Sequence, residues 1–286
     1  MARIGVIGGG IVGLACAHAL AADGHGVTVL DRDPEGDKCS WENAGGIGVS
    51  EVIPAASLAV LARVPRYLLD PLGPLAIRPA HLPALLPWLA GFVASARPAR
   101  VARAAAALAA LTTRAHDDLV PLLAAIGLSD ALTRTGALTV YRSRAAFDGE
   151  AAEWGLRGRL GVAWQALSGT DVRTLEPALG PAVACGVLVP GWSQVRDPRA
   201  IWAALLAALH ARGVAVRRAE VVALDADAHV RTADGAQHAF EAVVVAAGAW
   251  SAPLAHNLGD RVLLASERGY NTTIAEPGAF LTREVI

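Results

Sequence analysis

A short apolar run, Ile4, Val6 and Ile7, reads as a strand, and after three glycines Leu14, Ala17 and Leu20 recur at helical spacing within Ile11 to Ala22. Gly24 stops that helix, and a second apolar run, Val27 to Leu30, predicts a strand ending at Asp31. A polar loop and a small-residue stretch, Ser40 to Ile47, follow. From Leu58 to Gly127 the pattern is helical, with proline breaks at Pro65, Pro71, Pro74 and Pro79. Leu108, Leu111, Ala115, Leu119 and Leu122 predict one apolar face that packs into a core, closed by Gly127 as C-cap. Gly136 to Tyr141 and Val183 to Pro190 then read as strands, around a helical or irregular piece near Ala145 to Gly158. Asp197 and Pro198 open a helix in the favoured cap-then-proline order, and it runs to about Arg212. Val214 to Arg217, Val221 to Leu224, His229 to Thr232 and Phe240 to Val245 predict strands, with Asp234-Gly235 as the hairpin turn between the last two. Strand and helix alternate at both ends of the chain, which predicts a doubly wound parallel sheet of the α/β class.

The three glycines sit where that pattern needs them. Gly8, Gly10 and Gly13 spell G-x-G-x-x-G between the first strand and its helix: the first allows the tight turn, the second lets a pyrophosphate approach the backbone, and the third lets helix pack on strand. The amides of Ile11 and Val12 open the helix and offer partial positive charge to phosphate. Asp31 ends the second strand, where a carboxylate can accept from the ribose hydroxyls of an adenosine. Strand, turn, helix, strand and acid in order predict dinucleotide binding over a purely structural turn, without choosing between NAD and FAD. The strand Val243 to Val245, with its exit Ala246-Ala247-Gly248, places a second small-residue turn at the carboxyl end of a buried strand, the end at which such sheets bind ligands. The loop Ser40 to Ile47 reads either as an ordinary turn or as backbone lying against a flat ligand.

Composition narrows the classes. The net charge of −1 over 286 residues gives no support to nucleic-acid binding. Lys38 is the only lysine and alanine is abundant, so the mean hydropathy of +0.41 reflects composition more than membrane residence. The most apolar stretch, Leu82 to Ala96, is interrupted by Pro83 and Pro87 and is too short to span a bilayer. With a strand starting at Arg3 there is no room for a signal peptide, which predicts a cytoplasmic protein. Three widely spaced cysteines predict neither a disulfide framework nor a metal site.

Six stretches in order carry a resemblance: VIGGGIVGLACAHALAADGHGVTVLDR, SWENAGGI, LEPAL, DPRAIWAALLAALHARGVAV, VVVAAGAWSAPLA and SERGYNTT. Together they resemble the FAD-dependent D-amino-acid oxidase superfamily, most closely its bacterial D-amino-acid dehydrogenase branch. The resemblance implies a Rossmann-like FAD-binding domain with an interleaved α+β substrate domain. It divides the chain into 1–57 and 196–264 for FAD and 58–195 and 265–286 for substrate. It implies FAD contacts from Gly8, Gly10, Ile11, Val12, Gly13, Asp31 and Arg32, and from Ser40, Asn43, Ala44 and Gly45 in the SWENAGGI loop. Val222 passes the adenine by the same analogy, and Ala247, Gly248 and Trp250 lie near the cofactor.

The implied activity is oxidative deamination of a D-amino acid, with hydride passing from Cα to flavin N5 to give a 2-oxo acid and ammonia. Arg268 and Tyr270 are the candidates to hold the substrate carboxylate and line the pocket; an ordinary strand with an outward arginine is the rival reading of that stretch. Electrons would pass to a quinone or another acceptor, and the apolar Leu82 to Val93 stretch would touch the inner face of a membrane. Trp41 and Glu42 depart from the usual loop. Relatives also continue past Ile286, so Leu281 to Ile286 is expected to lack its partner strands and the flavin ring its third contact. A truncated or non-catalytic remnant and a glycine- or sarcosine-type amine oxidase are the alternatives; an NAD-dependent dehydrogenase is disfavoured, since no nicotinamide lobe follows the first βαβ unit.

Overall fold

In the computed structural model, which describes residues 1–70, 75–276, 278 and 280–286, β1 (Arg3–Ile7) pairs in parallel with β2 (Gly26–Asp31). The strand Ala242–Val245 lies on the other side of β1 and Ala215–Arg218 on the outer side of β2, all parallel. Val6 and Val29 are fully buried, which is why these strands read as continuous apolar runs. Helix α1 (Ile11–Ala22) buries Gly13, Leu14, Ala17 and His18, and packs beside the helix Pro198–Ala211. The latter starts as expected: the Asp197 carboxylate accepts from the amides of Arg199 and Ala200 at 2.9 and 3.2 Å.

The chain forms two compact units. The first contains Met1–Gly45, Val120–Leu132 and Val195–Glu276, and the second Gly46–Leu119, Thr133–Gln194 and Pro277–Ile286. Residues 46–57, expected in the FAD part, belong to the second unit, because Gly46–Ile47 pairs antiparallel with Ser193 and Gln194. Residues 265–276, expected in the substrate part, belong to the first.

The second unit is built on the antiparallel strands Ala137–Tyr141, Cys185–Val189 and Gln165–Ser168. Its core gathers Val52, Tyr141, Phe147, Trp154, Val187 and Trp192. The Tyr141 hydroxyl donates to Glu150 at 2.8 Å and accepts from Trp154 Nε1 at 2.8 Å. Burial, helped by the bond to Glu150, pushes this phenol well above its ordinary range.

The structure departs from the sequence pattern at four places. The helix Leu58–Leu69 runs through Pro65 without breaking, while Pro71 and Pro74 lie outside the described residues. The expected single face from Leu108 to Leu122 is divided between the helices Pro98–Thr112 and Ala115–Ala125. Ala105, Ala109 and Leu123 are buried instead, and Leu111 is 75% exposed: four-residue spacing alone does not say which stripe finds a partner. Gly127 does cap the second helix, at φ +77°. The Asp234-Gly235 turn joins His229–Thr232 to Gln237–Ala239, so the antiparallel sheet closes early and Ala242–Val245 crosses to the parallel one. Finally, Glu284–Val285 pairs in parallel with Ala137 and Leu138, and Ile286 exchanges backbone bonds with Leu138 and Val140 at 2.8 Å, so this end is paired.

Candidate functional site

The glycine turn in the first unit has the geometry a phosphate needs. Gly8 adopts φ +108°, and a Cβ there would stand 2.4 Å from the Ala246 carbonyl oxygen. At Gly13 a Cβ would meet the Gly8 carbonyl oxygen at 1.9 Å, so helix and strand approach backbone to backbone. Gly10 is different: a Cβ there meets nothing within 4 Å. Gly10 is also the N-cap of α1, with no side-chain cap and no acidic residue in the first turn. The first helical bond is Leu14 N–H to the Gly10 carbonyl, so the amides of Ile11, Val12 and Gly13 precede the ladder and point with the helix dipole toward open space.

Asp31 stands behind this turn with three partners from its own chain. Its Oδ2 accepts from Gly9 N–H at 2.6 Å, and its Oδ1 accepts from Asp33 N–H at 2.8 Å and from Lys38 Nζ at 3.1 Å. Burial alone would raise this carboxyl, but the Gly9 and Asp33 amides and the Lys38 ammonium outweigh it and hold the group below the usual carboxylate range. With about four acceptor positions on a carboxylate, one on Oδ2 is left for a ribose hydroxyl.

The other expected residues fall around this frame. The Arg32 guanidinium lies over the Trp250 ring at 3.6 Å, and Trp250 is half exposed beside the Ala247-Gly248 exit, where Gly248 has φ +57°. In the SWENAGGI loop Asn43 accepts from Gly45 N–H at 2.7 Å and donates to the Ser40 carbonyl at 2.8 Å, while the Gly45 carbonyl accepts from Val195 N–H. The loop is therefore a self-bonded turn. Ala44 lies within that turn and is exposed. Two of the loop's polar atoms, Ser40 Oγ and Trp41 Nε1, are buried with no hydrogen-bond partner. Val222 is 41% exposed on the strand Val221–Leu224. Arg268 and Tyr270 are not brought to this site: both are exposed on a stretch without helix or strand, and Tyr270 is 87% exposed.

Lys38, Trp202 and Arg199 were missed in the sequence. Trp202 Nε1 donates to the Gly9 carbonyl at 2.8 Å, Trp41 packs edge-on against it at 5.0 Å, and the Arg199 guanidinium covers Trp41 at 4.4 Å. Lys38 was visible as the sole lysine, but its place on Asp31 was not. A cavity of about 510 Å³ lies elsewhere in this unit, lined by Arg3, His25, Thr28, Arg212, Ala215 and Phe240. It sits at the amino ends of the parallel strands, and ligands of such sheets bind at the carboxyl ends.

Comparison with known proteins agrees with this geometry. The family model described as FAD dependent oxidoreductase matches residues 3–285. The chain is 38% identical over 281 residues to a D-amino-acid oxidase of Bradyrhizobium diazoefficiens, covering 96% of this chain and 66% of that protein. It is 30% identical to a D-amino acid dehydrogenase of Methylobacterium nodulans, again over 95% of this chain and 66% of that protein. The chain thus spans just under two thirds of the length of these relatives. Glycine oxidase from Geobacillus kaustophilus shares the fold, with a TM-score of 0.58 at 23% identity over 91% of this chain and 59% of that one. The cofactor of the family is FAD. The residues present fit its ADP half: an open cradle at Gly10, an uncapped helix start, an anionic residue behind it, and two orphaned polar atoms in the adjoining loop.

Proposed function

The chain belongs to the FAD dependent oxidoreductase family, and from that premise we propose that it forms the FAD-binding unit and part of the substrate unit of an enzyme that oxidises a D-amino acid to the 2-oxo acid and ammonia. The open cradle at Gly10, faced by the free amides of α1 and backed by Asp31, is the observation that carries this reading. When bound, FAD supplies the acceptor for the hydride that leaves the substrate Cα, and water then releases ammonia from the imino acid. The chain's own part is binding and orientation. The amides of Ile11, Val12 and Gly13 hold the pyrophosphate, the open lone pair of Asp31 Oδ2 accepts a ribose hydroxyl, and Ser40 Oγ and Trp41 Nε1 find their missing partners on the cofactor. The names of the relatives at 38% and 30% identity favour a D-amino acid over glycine, which enters only through fold neighbours below 25%. Arg268 and Tyr270 remain the proposed substrate residues on the family resemblance alone.

For the electron acceptor we propose a quinone, reached at a membrane face. The helix Leu82–Ser95 supports this: it buries none of its residues and exposes Leu86, Trp88 and Val93. Among the described residues no helix is long and apolar enough to cross a membrane.

The test is to titrate the chain with FAD, remove free cofactor by gel filtration, and follow anaerobic bleaching of the bound flavin by D-alanine, L-alanine and glycine, with flotation on liposomes in parallel. Retained flavin bleached fastest by the D-isomer is expected. A colourless product, or faster bleaching by L-alanine or glycine, overturns the reading; absence from the lipid fraction overturns the membrane contact alone.

A further inference from the structure

Trp202 lies 193 residues from the glycine turn in sequence, on the helix Pro198–Ala211, yet its indole N–H donates to the Gly9 carbonyl at 2.8 Å. We propose that Trp202 is a positioning residue for the cofactor's pyrophosphate, aiming the Gly10 amide into the cradle by pinning the peptide in front of it. The proposal rests on FAD as the cofactor and adds a role to a residue that none of the glycine or acid positions provides.

A trans peptide points its carbonyl and the following N–H in opposite directions. Holding the Gly9 carbonyl toward the buried Trp202 indole therefore turns Gly10 N–H the other way. The preceding peptide is fixed as well, since Gly9 N–H donates to Asp31 Oδ2 at 2.6 Å. Gly9 has no Cβ to restrict either peptide, so without these two bonds both would rotate at little cost. The space past Gly10 is open for 4 Å around an added Cβ, which leaves room for a phosphate oxygen near the amide.

The donor is itself held in place. Trp202 is 8% exposed, Trp41 packs edge-on at 5.0 Å with an interplanar angle of 68°, and Lys38 Nζ lies 5.9 Å from its ring. Asp197 caps the helix that carries it, so the indole is fixed from both its ring and its backbone. A preorganised amide costs little reorganisation when an anion arrives, and that is the gain a bond between two protein groups confers on a third.

A purely structural role for Trp202 predicts a uniform loss of binding, while a role on the phosphate amide predicts a selective one. The unmutated chain, Trp202→Phe, and a chain carrying benzothienylalanine at 202, which keeps the indole's shape and lacks its N–H, are titrated with FAD, ADP and adenosine by ligand-observed NMR. ADP and FAD affinity is expected to fall roughly 5- to 10-fold in both altered chains, the scale of one hydrogen bond, with adenosine unchanged within about 2-fold. Unchanged ADP affinity overturns the proposal, and so does an equal loss for ADP and adenosine. If Trp202→Phe does not fold, the benzothienylalanine chain decides alone. Failure of the unmutated chain to bind FAD or ADP overturns the cofactor reading and this proposal with it, whereas normal binding by all three chains overturns the proposal alone.

Discussion

The segment from Arg3 to Asp31 and the segment from Gly259 to Glu276 belong to the same unit and both carry family-like motifs, yet they are built in opposite ways. In the first, the turn residues are held by packed backbone and side chains of the same unit: Gly8 against Ala246, Gly13 against Gly8, and Gly9 against Asp31 and Trp202. In the second there is no helix or strand, Leu263, Tyr270 and Ile274 are exposed, and among the described residues the side-chain hydrogen bond that ties it down is Asn271 to the Glu42 carbonyl. A turn packed between parallel strands and a helix has its backbone fixed by its surroundings, whereas a segment without helix or strand leaves its side chains exposed.

The largest effect is expected at Gly13. A Cβ there sits 1.9 Å from the Gly8 carbonyl oxygen, which is backbone and cannot rotate away. Gly13→Ala should therefore separate α1 from β1, at a cost of about 3 kcal/mol on the scale of overpacked cores, and remove FAD binding as well. Urea unfolding followed by circular dichroism measures it. A midpoint equal to that of the unmutated chain would show that the approach of helix to strand is not needed.

Gly10 sharpens the same contrast at smaller cost to the fold. Its Cβ meets no protein atom within 4 Å, so Gly10→Val should leave the urea midpoint nearly unchanged. The side chain would instead occupy the space of the phosphate. FAD affinity should fall by at least about 100-fold, read from flavin fluorescence on titration, the equivalent of roughly 3 kcal/mol. A parallel loss of stability would mean that the open space at Gly10 is part of the fold rather than of the site.

Most of the first segment was legible because its signals are local. Spacing put Gly8, Gly10, Gly13 and Asp31 on a strand, turn, helix and strand, and the structure has them there. What was not legible came from the placement of side chains in three dimensions. Asp31 reads as a free ribose acceptor in the sequence, but three of its acceptor positions go to Gly9, Asp33 and Lys38. Trp202 was an ordinary apolar position on a predicted helix, and nothing at residues 198–211 says that its N–H reaches residue 9. The helical face at Leu108 and Leu111 failed for the related reason that periodicity names a stripe and not its partner. The paired end at Glu284–Val285 was missed because parallel pairing with Ala137 leaves no mark in either short run.

The smallest effects should come from the second segment. Tyr270 is 87% exposed and Arg268 is exposed beside it; among the described residues neither side chain has an ion pair within 4 Å. Substitutions at such positions usually move stability by less than about 0.5 kcal/mol. Tyr270→Phe and Arg268→Gln should leave the urea midpoint in place and FAD affinity within about 2-fold, since the contacts proposed for the cofactor's phosphates and ribose, Gly8 to Asp31, lie at the other end of the sequence. If these side chains do act on an amino acid, their loss appears elsewhere, as slower bleaching of bound flavin that extra substrate restores for Arg268→Gln, because a weakened carboxylate contact raises KM before it lowers kcat. A 5-fold or larger fall in FAD affinity in either variant would place the second segment on the cofactor, and the difference between the two segments would fall with it.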